Sequence, residues 1–259
     1  MGSAVDRGRA GVLASVRAGD VVVMECPAQT VEVTGLSAEY VSVRWPWNRI
    51  DPESQMQWNG SRAIPRNAGD EGWDEEPFQI VSSDSSLEVG GYCELGMPAT
   101  VAYVVHVERF SDPLDVGWLP RPHAYVSLVS HGVSFPPHAE EIGFTVDPNG
   151  EEPIESALVF RPYAFLESGD EVADSEGRLW TYSAPWKWVP FDGRPGEYPA
   201  WPLQLICRDG GQVPHAAQSI ARATSVGVHD DEMARWLRAA GLAEVPQLPP
   251  RAFIGDLPH

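Results

Sequence analysis

The sequence predicts a mainly β protein of the α+β class: an antiparallel sandwich or barrel-like body with a small C-terminal helical pair. Three observations predict it. Short runs rich in Val, Tyr, Phe and Trp alternate apolar and polar residues with a period of two. The 24 Gly and 24 Pro are scattered rather than clustered, which marks many tight turns between short elements. The period lengthens to about 3.6 only after Pro214.

Residues 1–17 read as a lead-in to the body, which spans 18–213 with a sub-boundary near 165. From Gly19 onward GDVVVMEC, TVEVTGL and YVSVRWPW are three strand-like runs, separated by Pro27 and by a turn near Ser37. In the third, Val41, Val43 and Trp45 share one face and Tyr40, Ser42 and Arg44 the other, the pattern of a half-buried strand. Residues 48–77 are polar and irregular, and a loop of that length is often functional. FQIVSS and the long run ATVAYVVHVERF resume the strands, followed by AYVSLVS, IGFTVD and ALVFRPYAFL. VDPNGEE reads as a β-turn, with Pro148 presetting φ and Asn149-Gly150 tolerant of positive φ.

A partial internal echo follows. SGDEVADSEGRLWTYSAPWKW at 168–188 pairs a Gly-Asp turn entering a strand with a later Trp-Pro-Trp cluster, as AGDVVV and VSVRWPW do at 18–47. In strand pattern both stretches resemble small SH3-like or Tudor-like barrels, a resemblance that implies fold and no particular ligand. Pro214 opens a first helix through Ala217, Ile220 and Ala221 that ends near Gly227. Asp230 caps a second, in which Met233, Trp236, Leu237 and Ala240 form one apolar stripe and Gly241 ends it, so the helical pair spans 214–241. The tail, 242–259, is Pro-rich and reads as extended.

Composition narrows the function. The net charge is −19, and residues 61–160 carry 4 Arg against 17 Asp and Glu. Such a surface repels phosphate polyanions, so no nucleic-acid partner is expected, and it steers basic proteins or cationic ligands toward itself. No run of 18 apolar residues is present, so no membrane-spanning segment is expected. Arg7, Arg9 and Arg17 interrupt the small apolar stretch where an export signal would need its core, which points to the cytoplasm. Cys26, Cys93 and Cys207 are odd in number, far apart and without a CxxC pair, so reduced core thiols are expected. Seventeen Arg against the single Lys187 fit a GC-rich bacterial genome.

Four groups of residues are candidates for chemistry. Trp45, Trp47, Trp180, Trp186, Trp188 and Trp201 lie at strand ends or near Pro; the best surface platform is APWKW, where Trp186 and Trp188 point the same way and Lys187 opposite. Glu71, Asp74, Glu75 and Glu76, with Asp70, flank Trp73 in the irregular loop and suit docking of a basic partner better than paired-acid catalysis, which needs two carboxylates about 5–9 Å apart on a rigid scaffold. His106, His123, His131 and His138, followed by Glu140 and Glu141, could supply metal ligands, with His123, His131, His138 and Glu140 the set to test; no spacing matches HExxH or a His-x-His pair. Ser130 precedes His131, but neighbours on a strand face opposite sides. No GxSxG, P-loop or GxGxxG is present, so no cofactor is expected. The resulting expectation is an intracellular acidic binding protein, of inhibitor or immunity type, that engages a basic protein partner. The alternatives are a metal-dependent enzyme using the His106–Glu141 region and a structural or assembly protein.

Overall fold

The computed structural model describes residues 12–66, 77–82, 87–134, 143–184, 187–194 and 198–244. A short 3₁₀ turn at Val12–Ser15 precedes fourteen strands among the described residues: β1 Val21–Leu36, β2 Tyr40–Arg44, β3 Arg49–Ile50, β4 Ser61–Pro65, β5 Gln79–Ser82, β6 Tyr92–Arg109, β7 Trp118–Leu119, β8 Ala124–Ser130, β9 Phe144–Val146, β10 Glu155–Phe160, β11 Glu171–Ala173, β12 Leu179–Ala184, β13 Lys187–Pro190 and β14 Gln204–Cys207. Helices α1, Pro214–Ala223, and α2, His229–Ala240, follow. The chain is mainly β, a curled antiparallel half-barrel with two helices at the C-terminal end.

The large sheet runs β4-β2-β1-β6-β8-β9, with β10 also on β1 and β5 also on β6. Its spine is the antiparallel pairing of the two longest strands, β1 and β6. Pro27 does not end β1, contrary to the reading of GDVVVMEC and TVEVTGL as separate strands. The β1–β6 register shifts twice, between Met24 and Cys26 and between Cys26 and Gln29, and these bulges take up the proline and its missing donor. Gly96 lies opposite the bulge, where a Cβ would sit 3.0 Å from the Ala28 Cα and the Cys26 carbonyl, so a side chain there would force the strands apart. The bulges turn the far half of β1 toward β2, which pairs Val33 with Val43 and Leu36 with Val41. Val41 and Val43 are buried and Tyr40 and Arg44 exposed, as the alternation predicts. The expected loop at 48–77 contains β3 and β4; β4 pairs along the whole of β2.

Both faces of β6 are covered at its centre. Ala102 and Val104 join the main core with Val22, Leu128 and Phe144. Tyr103 lies on the other face, with Val21, Val129 and Trp236 of α2.

A second sheet, β13-β12-β11-β14, carries its own core of Tyr163, Leu166, Val172, Trp180, Tyr182, Trp188, Leu203, Leu205 and Ile220. Its edge strand β13 bears Lys187 and Pro190, residues that discourage strand addition. In both sheets the strand that follows a Gly-Asp turn lies between its antiparallel partners: β1 between β6 and β10, β11 between β12 and β14. The hydrogen bonding repeats. Gly19 and Gly169, with φ of 88° and 93° that a side chain would strain, donate to the carbonyls of Val104 and Tyr182. Val104 and Tyr182 donate back to the carbonyls of Asp20 and Asp170. The echo in the sequence is therefore structural at the Gly-Asp turns. It does not extend to the tryptophan clusters, because the counterpart of β12 is β6 and not β2.

The helices follow the expected pattern with two differences. α1 ends at Ala223, short of Gly227, where the Thr224 hydroxyl donates to the Ile220 carbonyl and accepts from the Leu203 N–H. α2 starts earlier than Asp230: Val228 is the N-cap, and the Asp231 carboxylate accepts its N–H. Gly241, at φ 74°, closes α2 as predicted. Trp236 and Ala240 of the expected stripe are buried, and the Trp236 indole donates to the Gly19 carbonyl at 2.7 Å. No helix among the described residues is long and apolar enough to cross a membrane.

Candidate functional site

A cleft of about 210 Å³ lies on the large sheet. Strand β9 sets its floor. Phe144 and Val146 point into the core by strand alternation, and the chain then turns at Asp147. That turn is the one expected from VDPNGEE: Gly150 donates to the Asp147 carbonyl, and Asn149 donates to its carboxylate at 2.9 Å. Neither Asn149 nor Gly150 needs positive φ. Tyr125 enters from β8, with Phe110 edge-on at 5.7 Å. Trp118 enters from β7, whose pairing with β3 sets it opposite Ile50. Trp58 braces Trp118 edge-on at 4.8 Å. The ion pair between Arg121 and buried Asp51, at 2.5 Å, ties the ends of that small ribbon. The Asp51 carboxyl is held below the usual range by the Glu53 N–H and then by Arg121.

The cleft is lined by both carboxylates and aromatic rings. Asp147, Glu151 and Glu152 line it against Arg62. Glu151 lies 3.8 Å from Arg49, with both side chains well exposed, so that pair contributes little. Arg62 spreads its guanidinium 4.3 Å above the Trp45 ring and 5.9 Å from that of Phe78. Asp147 is half-buried, and among the described residues its carboxylate accepts one hydrogen bond, from Asn149 within its own turn. Burial raises its pKa, partly opposed by the Asn149 N–H and by His123. The Tyr125 phenol is pushed up by burial and then by Asp147.

The sequence candidates fall in different places. Glu71, Trp73, Asp74, Glu75, Glu76, Trp186, His138 and Glu140 lie outside the described residues. Pro77, which lines the cleft, is the residue joined to Glu76 in the chain. Trp188 is a core residue rather than a platform: it is 7% exposed and packs on Tyr163 and Tyr182, with Lys187 exposed beside it as the alternation requires. Trp45, Trp47 and Trp180 are also buried. His123 and His131 flank the two ends of β8, roughly 25 Å apart at about 3.3 Å per residue, so they cannot share one ion. Among the described residues no three His, Cys, Asp or Glu converge as metal ligands. Ser130 is buried and its hydroxyl has no partner among the described residues, while His131 is exposed.

Sequence reasoning missed Trp118 and Asp147. The first stood outside the tryptophan clusters, and the second was read only as a turn residue. The one available signal was an aspartate placed where a strand ends among aromatics, which becomes informative only once β7 is known to pack beside it.

A second polar cluster centres on buried Tyr163, His229 and Glu232. The Tyr163 hydroxyl shares a hydrogen bond with His229 Nδ1, Tyr198 stacks on the imidazole at 3.5 Å, and the Glu232 carboxylate accepts the Tyr163 N–H at 2.8 Å. Burial lowers His229 to about 4, so the ring is neutral near neutrality, and burial raises the Tyr163 phenol far above its ordinary value. This cluster fixes α2 onto the turn after β10.

No protein-family model matches the chain, and no curated protein or solved structure matches it significantly.

Proposed function

We propose that this chain is an intracellular binding protein, of inhibitor or immunity type, that engages a basic protein partner with the acid-rich middle of its sequence. The observation that carries this reading is the cleft, where three carboxylates outnumber one guanidinium between aromatic walls, at the end of the run that contains Glu71, Asp74, Glu75 and Glu76. An acidic surface steers a cationic partner at long range, and a shaped aromatic recess gives it a place to lodge. The large negative balance disfavours nucleic acid.

Isothermal titration of the full chain with an oligoarginine peptide tests it. The expected result is binding that weakens steeply as salt rises past physiological strength. Reversal of Glu71, Glu75 and Glu76 to Lys should weaken it by about tenfold or more. The same number of reversals at exposed Glu39, Glu176 and Glu244 should cost much less. Equal losses from both sets, or none from either, would overturn the assignment of this face.

A further inference from the structure

We infer that the cleft beside Asp147 holds the cationic head of a single lysine or arginine side chain of the partner, an inference that rests on the binding role proposed above. Size is the first reason. At about 210 Å³ the cleft is smaller than the roughly 300–1,000 Å³ of ordinary small-molecule sites, so it suits one side chain rather than a cofactor or a folded segment.

Charge is the second. Asp147 is half-buried, and among the described residues its carboxylate accepts only the Asn149 N–H and has no ion-pair partner. An arriving ammonium or guanidinium would supply the missing donors and the opposite charge, while an anion would meet Asp147 and Glu152. A hard divalent ion is a poor occupant. It needs several convergent oxygens, and no such set of three converges among the described residues.

The walls are the third reason. Trp118 and Tyr125 line the cleft, and aromatic rings there can pack on a methylene stem and attract its charged head. Arg62, which also lines the cleft, makes a contact of this kind within the chain, its guanidinium over the ring of the buried Trp45.

The test uses the full chain, with Nα-acetyl-arginine methylamide as probe, the neutral citrulline analogue as control and oligoarginine as the polyvalent ligand, all read by NMR shift titration at low salt. The variants are Asp147→Asn, whose amide oxygen can still accept the Asn149 N–H, and Trp118→Leu, which leaves the charge untouched. The expected result is saturable binding of the arginine probe, none of the citrulline analogue, and weakening of about tenfold or more in each variant that keeps the wild-type amide spectrum. Equal binding of the two probes, or an arginine affinity unchanged in the folded variants, overturns the inference. If oligoarginine binds wild type and Asp147→Asn alike, the anchor falls while the basic-partner reading stands. If oligoarginine fails to bind the wild type, both fall.

Discussion

Asp20 and Asp170 are held in the same way in two different sheets. Arg161 grips Asp20 through Nε at 2.8 Å and a terminal nitrogen at 2.6 Å; Arg208 grips Asp170 through the same two nitrogens at 2.7 and 2.6 Å. Each arginine directly follows the last strand of its sheet, β10 or β14, and each aspartate also accepts the backbone N–H three residues before it, from Arg17 or Glu167. Both carboxylates are fully or almost fully buried. The pair closes the first strand of each sheet onto its last. Arg17 then joins the two sheets by donating to the carbonyls of Pro162, Tyr163 and Leu166.

Removing either aspartate takes the bidentate acceptor from a partly buried guanidinium and leaves the Arg17 or Glu167 N–H without its carboxylate. Asp20→Ala and Asp170→Ala should each cost about 1.5–3 kcal/mol in urea unfolding, well above a surface carboxylate. Exposed Glu176→Ala should cost roughly 0.5 kcal/mol or less, and serves as the reference.

His229 gives the fold an acid-side weakness. Its pKa of about 4 in the folded chain lies below its unfolded value of about 6.5. Between those values the unfolded chain binds more protons, so stability is fully present above about pH 6.5 and is lost as pH falls toward 4, at up to about 1.4 kcal/mol per unit. His229→Gln should be less stable at pH 7 and should flatten this slope, measured as Tm against pH beside wild type.

The Trp236 indole fills the space against Tyr103 at 5.8 Å and donates to the Gly19 carbonyl. Trp236→Phe should cost about 1–3 kcal/mol, mainly from the lost donor, and Trp236→Ala about 3–5 kcal/mol. Chemical denaturation of both variants separates packing from hydrogen bonding.

The three thiols should react unequally. Burial and neighbouring carboxylates push Cys26 up to about 11, and burial raises Cys93, while Cys207 is half-buried beside the turn at Arg208. A thiol reagent at neutral pH should label Cys207 first and the other two only on unfolding, as read by mass spectrometry.

What could be read from the residues themselves was local. Val41, Val43 and the Gly241 cap followed from alternation and turn chemistry, because those features depend on neighbours in sequence. Pro27 misled because a bulge, visible only in the β1–β6 pairing, lets a strand pass through a proline. Trp188 misled because exposure is set by which face of β12–β13 meets α1 and the Tyr163 turn, and tandem tryptophans near a proline do not encode that. Arg161 and Arg208 carried no signal of their own, since a bidentate grip on Asp20 or Asp170 needs strands far apart in the chain to be side by side. The cleft was hidden for the same reason: Trp118, Tyr125 and Asp147 come from three separate elements.

Mapping oligoarginine onto the amide spectrum of the full chain tests most directly whether this protein works through its acidic cleft. Signals of Trp118, Asp147, Asn149 and Gly150 should shift together and saturate, and should return toward their free positions as salt is added. Signals of Tyr163, Trp180 and Trp236, sealed in the interior, should stay in place. Shifts that gather on the second sheet, or a spectrum that does not move, would contradict it.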